Sequence, residues 1–291
     1  MKLAAIDIGS NAIRLLIKRI IIKNGVIKYQ KFLLLKVPLR LGEDVFKEGR
    51  ILADKSDKLL KIIKSFKLLM EVNEVADYRA CATSAMREAK NGIELRDFIN
   101  SQSEVFIDLI SGEEEASLIF SNWQTSGLSV KKSYLYVDVG GGSTEITLLK
   151  NGQRITSRSF KVGAVRLLES TVKDKVWNDL KDFIESIVNV YDNVVSVGSG
   201  GSITKIFKES NHQPHDFISY NEIEEFVQSI ASFELEERMA KFNLKPNRAD
   251  VIILAGRIYL FVMKSAGSTN MIVPKMGVGD GIINKLALKH I

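Results

Sequence analysis

The chain has 291 residues, 45% of them hydrophobic, so it is long enough for two domains that each bury a core. It carries 41 Lys and Arg against 35 Asp and Glu, a net charge of +6, which suits either an ordinary basic protein or one that binds a polyanion such as polyphosphate, nucleotide or nucleic acid. One cysteine, Cys81, and three histidines exclude a disulfide framework, a thiolate zinc site and a His-rich metal cluster within one chain.

The sequence pattern predicts a cytoplasmic protein. Met1-Lys2 leads directly into a strand-like segment, so we expect no signal peptide. The longest apolar stretch, Val251 to Met263, is interrupted by Arg257 and is too short to span a bilayer.

The chain begins with three predicted strands, at about residues 3–8, 12–22 and 25–35. A tight turn, Gly9-Ser10-Asn11, follows the first strand, which ends near Asp7. The segment Val37 to Val45, which includes Arg40, is predicted to be a loop or a short strand.

A helix over residues 54–72 and a strand over 77–82 come next, and Thr83 to Ala89 resembles a helix start. Arg87 therefore lies near the carboxyl end of a strand, where open α/β sheets tend to bind ligands. An ordinary surface arginine is the alternative.

Another strand, Val105 to Ile110, leads into a helix that opens with Ser111-Gly112-Glu113-Glu114-Glu115. Ser111 and Glu114 have the spacing of a capping box, which would give Glu114 a structural role. Acids at a helix N-terminus commonly complement the helix dipole. The polar segment Gln124 to Lys132 places the domain boundary, so the predicted domains are residues 1–124 and 125–291.

The second domain opens on the stretch with the clearest chemistry, Tyr134 to Leu149. A strand runs into Asp138 and the glycines 140–142, and a second strand leaves after Glu145. Amides of a glycine turn make an anion site, and ligands approach bare backbone closely there. Because Asp138 and Glu145 would repel bound phosphate, we expect a divalent cation, Mg²⁺ or Mn²⁺, held by these two acids.

This pattern repeats the first strand-turn-strand at a spacing of about 130 residues, which indicates two similar domains rather than a solenoid. Each return strand leads to an Asn-Gly pair, at residues 24–25 and 151–152. We expect Asp7 and Asp138 at matching places, facing each other across a cleft.

Further along, Gly163 to Leu167 is predicted to turn into a helix, and residues 174–191 form an amphipathic helix. The strand Val194 to Val197 ends in a third glycine turn, Gly198 to Ser202, before another helix, an arrangement that suits phosphate. Walker A and dinucleotide fingerprints are absent from the sequence. The rest is mostly helical, at 221–233, 234–242 and 246–264, with a strand at 269–273 and a closing helix after Gly277.

Together these segments resemble the exopolyphosphatase and guanosine pentaphosphate phosphatase family, of the actin, Hsp70 and sugar kinase superfamily. The resemblance covers essentially the whole chain and rests on six motifs in order: DIGSNAIR from Asp7, RACATSAMREAKN from Arg79, SGEEEA from Ser111, DVGGGSTE from Asp138, GSGGS from Gly198 and NRADVIILAG from Asn247. It implies an α/β fold of two ribonuclease H-like domains with an interdomain cleft, and metal-dependent release of terminal phosphate from polyphosphate or the pentaphosphate alarmone.

The resemblance also implies residue roles. Glu115 matches the catalytic glutamate, and Asp138 and Glu145 match acids that handle metal and water. Glu113 stays a competitor, because one sequence does not show which side chain faces the substrate. The predicted substrate-phosphate contacts are Gly9, Ser10, Asn11, Arg14, Arg87, Gly140, Gly141, Gly142, Ser143, Thr144, Gly200, Gly201 and Ser202.

Two features depart from many family members. Gly279 stands where they have an arginine in the last turn, and the chain resembles the short branch without extra helical domains.

Two rival functions stay open: a kinase or ATPase of the same superfamily, and a catalytically silent sensor of polyphosphate or alarmone. The expected partners are polyphosphate or guanosine pentaphosphate, with no membrane and no specific nucleic acid, and with a homodimer allowed. The sequence does not rank the two substrates.

Overall fold

The computed structural model describes residues 1–23, 26–122, 128–191, 193–210, 212, 216–274 and 276–290. Its backbone divides into two compact units, Met1–Asn122 with Gly277–Ile291, and Trp123–Met276. Each unit contains one mixed sheet flanked by helices, which confirms the predicted α/β class.

The first unit begins with a long antiparallel hairpin and continues with alternating helices and strands. Its elements are β1 (Lys2–Ile8), β2 (Ala12–Lys23), β3 (Val26–Pro38), α1 (Leu41–Glu48), α2 (Ala53–Val72), β4 (Asp77–Ala82), α3 (Ser84–Glu88), α4 (Gly92–Ser103), β5 (Ile107–Leu109) and α5 (Gly112–Phe120).

The five strands of this unit have the order β3-β2-β1-β4-β5. β1, β2 and β3 pair antiparallel, whereas β4 and β5 are parallel to β1. Apolar residues of β1, β2 and β4 pack against α2 and α4 in one buried cluster that includes Ile6, Ile13, Leu59, Ile63 and Ile99. Burial of this cluster supplies the main favourable term in folding the unit.

The second unit repeats this plan and adds helices. Its elements are β6 (Ser133–Val139), β7 (Thr144–Lys150), β8 (Gln153–Phe160), α6 (Ala164–Leu168), α7 (Asp174–Val188), β9 (Val194–Ser199), α8 (Gly201–Glu209), β10 (Phe217–Ser219), α9 (Tyr220–Ala231), α10 (Leu235–Lys241), α11 (Pro246–Ala249), α12 (Ile252–Ser265) and β11 (Asn270–Ile272).

Its six strands have the order β10-β11-β9-β6-β7-β8. The run β8-β7-β6-β9-β11 matches the order of the first sheet, and β10 extends it antiparallel. Asn151 and Gly152 both have positive φ, at 52° and 71°, as a tight hairpin turn requires. The internal repeat is therefore present in the topology. The matching Asn-Gly pair of the first unit, Asn24 and Gly25, lies outside the described residues.

The last helix, α13 (Val278–Lys289), belongs to the first unit, whereas the sequence analysis had assigned it to the second domain. It packs on β1 and α5, so closely that a Cβ on Gly281 would lie 1.9 Å from the carbonyl oxygen of Leu118. This long-range packing has no local sequence signal. The predicted boundary after residue 124 lies outside the described residues.

Four further details differ from the prediction. The segment predicted as a loop or short strand contains α1, neither α4 nor β10 was predicted, and the predicted helix over 246–264 is two helices separated at Asp250 and Val251. Within the described part of the chain, the helices are all too short or too polar to cross a membrane.

Candidate functional site

The glycine turn of the second unit lies between two strands that pair in register. Asp138 on β6 is directly opposite Glu145 on β7, and the turn closes with a 2.9 Å hydrogen bond from the amide of Gly140 to the carbonyl of Ser143. Side chains opposite each other on paired strands lie on the same face of the sheet. The two predicted metal-binding acids are therefore neighbours at one turn.

Neighbouring hydroxyl groups hold both carboxylates. Ser143 and Ser159 donate to Oε1 of Glu145 at 2.7 and 2.8 Å, and Ser199 donates to Oδ1 of Asp138 at 2.6 Å. Glu145 is only 2% exposed. Burial of a carboxylate beside a second acid is costly unless hydrogen bonds and a cation compensate for it.

This donor set fits Mg²⁺. Two carboxylates beside a bare glycine turn suit an ion that takes few protein ligands and keeps water and substrate oxygens as the others. Within the described ranges, groups of three or more His, Cys, Asp and Glu able to hold a metal are absent. The metal assignment to Asp138 and Glu145 stays a prediction.

A short segment, Gly163 to Arg166, packs against the turn and donates hydrogen bonds to the carbonyl groups of its three glycines. The amides of Ala164 and Val165 donate to the carbonyls of Gly140 and Gly141 at 3.0 and 2.8 Å. The amide of Arg166 also donates to Gly141, and its Nε donates to the Gly142 carbonyl at 2.8 Å. These carbonyls point toward α6. Because the N–H of a peptide group points away from its carbonyl, the amides of the same peptide groups face away from α6, where they can bind an anion.

Two residues of this segment were missed as site residues by the sequence analysis. Arg166 is buried at 8% exposure, which is unusual for an arginine and marks a structural task. Gly163 lies so close to the turn that a Cβ there would be 2.6 Å from the Gly141 carbonyl. The sequence signal that could have identified them is the Gly163-Ala164-Val165-Arg166 turn itself.

The predicted hydroxyl ligands of this turn bond within the protein. Ser143 donates to Glu145, and Thr144, which is 0% exposed, donates to the carbonyl of Val162 at 2.6 Å. The side chain of Thr144 therefore anchors the turn, and any phosphate contact from this residue falls to its backbone.

The third glycine turn lies beside this one, because β9 pairs parallel to β6. Gly200 has a φ of 114°, a conformation that favours glycine, and Gly201 and Ser202 begin α8. The guanidinium of Arg248 approaches Gly201 so closely that a Cβ there would lie 2.6 Å from Nη2. Backbone amides at this helix N-terminus and a nearby cation suit an anion.

Tyr259 of α12 is buried between the two turns. Burial raises the pKa of its phenol well above the usual value, and the charge of Asp138 raises the pKa further. The phenol is therefore protonated at neutral pH and acts as a hydrogen-bond donor.

The matching turn in the first unit has the same backbone bond, from the amide of Gly9 to the carbonyl of Ala12 at 3.2 Å. The carbonyls of Ser10 and Asn11 accept from the amides of Gly42 and Arg40 at 2.8 and 3.2 Å. Ser10 also shares a 2.8 Å hydrogen bond with the hydroxyl of Ser84. In both turns, therefore, a segment that follows later in the chain donates hydrogen bonds to the carbonyls of the turn.

The charges of the first turn differ from those of the second. Arg14 occupies the position opposite Asp7, and its Nη1 lies 2.5 Å from Oδ2 of Asp7. Asp7 is 4% exposed, so a buried acid is paired with a cation.

The first unit also brings together Arg87 and Glu115. Nη1 of Arg87 donates to the carbonyl of Ile110 at 2.6 Å and lies 3.7 Å from Oε2 of Glu115. Glu115 is 7% exposed, whereas Glu113 is exposed on the same helix. The first unit therefore has a cation beside a buried carboxylate.

One of the two hydrogen bonds of the predicted capping box between Ser111 and Glu114 is present. The side chain of Ser111 accepts from the amide of Glu114 at 3.0 Å, as predicted. The carboxylate of Glu114 does not return to Ser111 and instead pairs with Nη2 of Arg79 at 2.6 Å. A nearby arginine on β4 therefore takes the place of the second capping bond, and the role of Glu114 is still structural.

The predicted site residues thus form two groups, one in each unit. Gly9, Ser10, Asn11, Arg14, Arg87 and Glu115 lie in the first, and Asp138, Gly140 to Glu145 and Gly200 to Ser202 lie in the second. The placement of Asp7 and Asp138 across a cleft stays a prediction.

Solved structures resemble the chain over its full length. A Ppx/GppA family member from Aquifex aeolicus superimposes with a TM-score of 0.77, at 26% identity, covering 100% of this chain and 98% of the other.

Three curated relatives are similar in sequence. A bifunctional 3-dehydroquinate synthase/phosphatase from Fusobacterium nucleatum subsp. nucleatum is 27% identical over 97% of this chain and 47% of its own length. Exopolyphosphatase 1 of Mycobacterium tuberculosis is 28% identical over 60% of this chain and 50% of its own. A guanosine-5'-triphosphate,3'-diphosphate pyrophosphatase from Photobacterium profundum is 25% identical over 98% of this chain and 59% of its own. The chain thus spans about half the length of these relatives.

The family model of the Ppx/GppA phosphatases matches residues 20–290, almost the whole chain. The six motifs, the repeated sheets and this match agree, and the chain belongs to the Ppx/GppA phosphatase family.

Proposed function

We propose that this chain is an acid-anhydride hydrolase that releases terminal phosphate from inorganic polyphosphate, from guanosine pentaphosphate or from both. Family membership and the names of the exopolyphosphatase and pyrophosphatase relatives support this class of reaction. Those relatives are longer than this chain, so their substrates come to it as part of the proposal.

The main structural support for this proposal is the arrangement of two acids at a glycine turn. Asp138 and Glu145 are opposite each other at a glycine turn whose carbonyls are bound from behind. Amides directed at a phosphate, beside two acids that suit a magnesium ion, are the components that phosphoanhydride hydrolysis requires.

Mg²⁺ held by Asp138 and Glu145 would supply charge stabilisation for the transferring phosphoryl group. The residues of the chain bind the substrate and orient the acids. Amides of the turns at Gly140 and Gly200 bind phosphate oxygens, and hydroxyl donors such as Ser143 and Ser159 hold Glu145 in one orientation.

Glu115 is the general base of the proposal. Its carboxylate is buried on α5, with Oε2 3.7 Å from Nη1 of Arg87, and a carboxylate is a group that can accept a proton from water. The water oxygen bonds to the terminal phosphorus, and the bond from this phosphorus to the bridging oxygen breaks. The bridging oxygen leaves as an oxyanion on the shortened substrate, and the proton of the water passes to a carboxylate oxygen of Glu115. Arg87, held by the Ile110 carbonyl, is placed to contribute positive charge near this carboxylate.

A phosphate-release assay tests the proposal. The purified chain is given short polyphosphate, long polyphosphate, guanosine pentaphosphate and ATP, each with Mg²⁺ and with an excess of EDTA. We expect magnesium-dependent release from polyphosphate or from the pentaphosphate, and little from ATP.

The rival functions are outcomes of the same assay. ATP as the best substrate would favour a kinase or ATPase. Binding of polyphosphate without release in any condition would favour a silent sensor.

A further inference from the structure

Tyr259 links the two glycine turns of the second unit. β6 and β9 pair in parallel up to Asp138 and Ser199, where each strand runs into its turn. The amide of Val139 donates to the phenolic oxygen at 3.3 Å, and the phenolic hydroxyl donates to the carbonyl of Ser199. One hydroxyl therefore joins the residue before Gly140 to the residue before Gly200.

The hydroxyl also contacts the third glycine turn directly. A Cβ built on Gly200 would lie 3.1 Å from the phenolic oxygen and 3.4 Å from Oδ1 of Asp138. Ser199 in turn donates to this same Oδ1 at 2.6 Å. A shift of the Ser199 backbone would thus move the hydroxyl group that orients the Asp138 carboxylate.

The polar atom of Tyr259 is unusual for its surroundings. α12 is an apolar helix that packs on β6 and α8, and Tyr259 is 0% exposed among buried neighbours such as Ile258 and Val262. Phenylalanine would fill the same space without burying a hydroxyl, which is costly unless it is bonded. Its two hydrogen bonds both go to strand ends, at Val139 and Ser199, so the hydroxyl connects the two glycine turns.

We propose that Tyr259 is a positioning residue that fixes the two phosphate-binding turns of the second unit relative to each other. This inference rests on the proposed function, because it assigns both turns to one phosphate substrate. The hydroxyl does not touch the reacting atoms. It holds the backbone amides of the two turns, and the Ser199 hydroxyl that orients Asp138, at the separation that the substrate requires. Small misplacements of such groups lower the reaction rate strongly.

The test compares the variant Tyr259→Phe with a matched control, Tyr134→Phe. Tyr134 is also buried, at 2% exposure, and lies on β6 at the opposite end, where it pairs with Val195. Its hydroxyl bonds to the backbone of Ser129, which belongs to neither glycine turn. Both variants remove one buried phenolic hydroxyl and keep the ring.

Two quantities are measured at a temperature well below the melting transition of all three proteins. The first is hydrogen–deuterium exchange of the backbone amides in residues 139–144 and 199–203, which needs no substrate. The second is kcat and KM for phosphate release from the best substrate of the wild type.

In Tyr259→Phe we expect exchange in both segments to rise about tenfold or more, and kcat/KM to fall about 10- to 100-fold. Tyr134→Phe should leave both quantities near wild type. A variant Tyr259→Phe that melts earlier but keeps wild-type exchange and kinetics would overturn the proposal, and so would faster exchange with unchanged kcat/KM.

Failure of the proposed function has a different signature. If the wild type releases no phosphate from any substrate, the hydrolase proposal is wrong. The exchange comparison then still decides whether the hydroxyl clamps the two turns, and unchanged exchange would reject that as well.

Discussion

The two strand-turn-strand segments share a backbone hydrogen-bond pattern but differ in charge, with an acid–base pair at the first turn and two acids at the second. In each, the amide of the first glycine, Gly9 or Gly140, bonds to the carbonyl three residues on, and a following segment binds the turn carbonyls. Arg14 occupies the position opposite Asp7, whereas Glu145 occupies the position opposite Asp138. The repeat therefore preserves the geometry of an anion site and varies the charges around it.

This difference predicts a division of labour. The first turn has a neutralised acid, so it suits phosphate oxygens without a metal ion. The second turn has two acids and suits a metal ion. The remaining buried acid of the first unit, Glu115, lies on α5 rather than in the turn.

A smaller contrast lies on the neighbouring strands. Cys81 is paired with Asp7 and Ser199 with Asp138. Burial raises the pKa of the Cys81 thiol to about 12, so it stays protonated. Ser199, in contrast, donates a 2.6 Å hydrogen bond that orients its aspartate.

The largest effect is expected from Glu115→Gln, which keeps the shape and removes the base. We expect kcat to fall about 10²- to 10⁴-fold, because general-base catalysis contributes that much, while the melting temperature stays near wild type. Steady-state kinetics on the best substrate and thermal unfolding measure both.

Glu113→Gln is the control, since Glu113 is an exposed acid of the same helix turn. Its kcat should stay within about twofold of wild type, as for most surface changes. A Glu115→Gln enzyme with near wild-type kcat would refute the assigned role, and loss of activity in Glu113→Gln would transfer that role to Glu113.

A moderate effect is expected from Arg166→Lys. Lysine keeps the charge but cannot reproduce the planar contact of Nε with the Gly142 carbonyl. We expect kcat/KM to fall about 10- to 100-fold as the turn amides lose their orientation.

The matched control is Arg158→Lys on the adjacent strand β8, where the guanidinium stacks 4.9 Å from the Phe160 ring centroid. Its kcat/KM should stay near wild type. Equal losses in the two variants would argue against a specific role for Arg166 behind the turn.

The smallest effect is expected from Glu114→Gln. The ion pair with Arg79 is partly exposed, at 27% and 39% of the two side chains, so its loss should cost at most about 1 kcal/mol of unfolding free energy. Turnover should be largely unchanged. Urea unfolding and kinetics check this, and a large loss of kcat at full stability would contradict the structural role of Glu114.

Local patterns were enough to predict much of this fold and site. Glycine turns between apolar strands have strong sequence signals, so the turns at Gly9, Gly140 and Gly200 and most strands were predicted correctly. The sequence did not distinguish Glu115 from Glu113, because the two acids lie in one helix turn and share the same local sequence. The packing of α5 in the structure distinguishes them, since it buries Glu115 and leaves Glu113 exposed.

Long-range contacts explain what the sequence did not reveal. The assignment of α13 to the first unit depends on its packing against β1 and α5. Arg166 and Tyr259 act on turns about 25 to 120 residues away in sequence, so their spacing to the turns is not a motif. Glu114 does not complete the predicted capping box because its carboxylate pairs with Arg79 on β4, which is distant in sequence.

The most direct test of the division of labour is a magnesium titration of phosphate release by Asp138→Asn and Asp7→Asn. Each variant removes the charge of the aspartate at the same position of its turn. We expect the Mg²⁺ concentration for half-maximal activity to rise at least about tenfold in Asp138→Asn, since even indirect contacts to a metal matter that much. Asp7→Asn should lose stability, because Arg14 loses its partner, and keep the wild-type Mg²⁺ midpoint. An unchanged midpoint in Asp138→Asn, or an equal shift in both variants, would contradict the account.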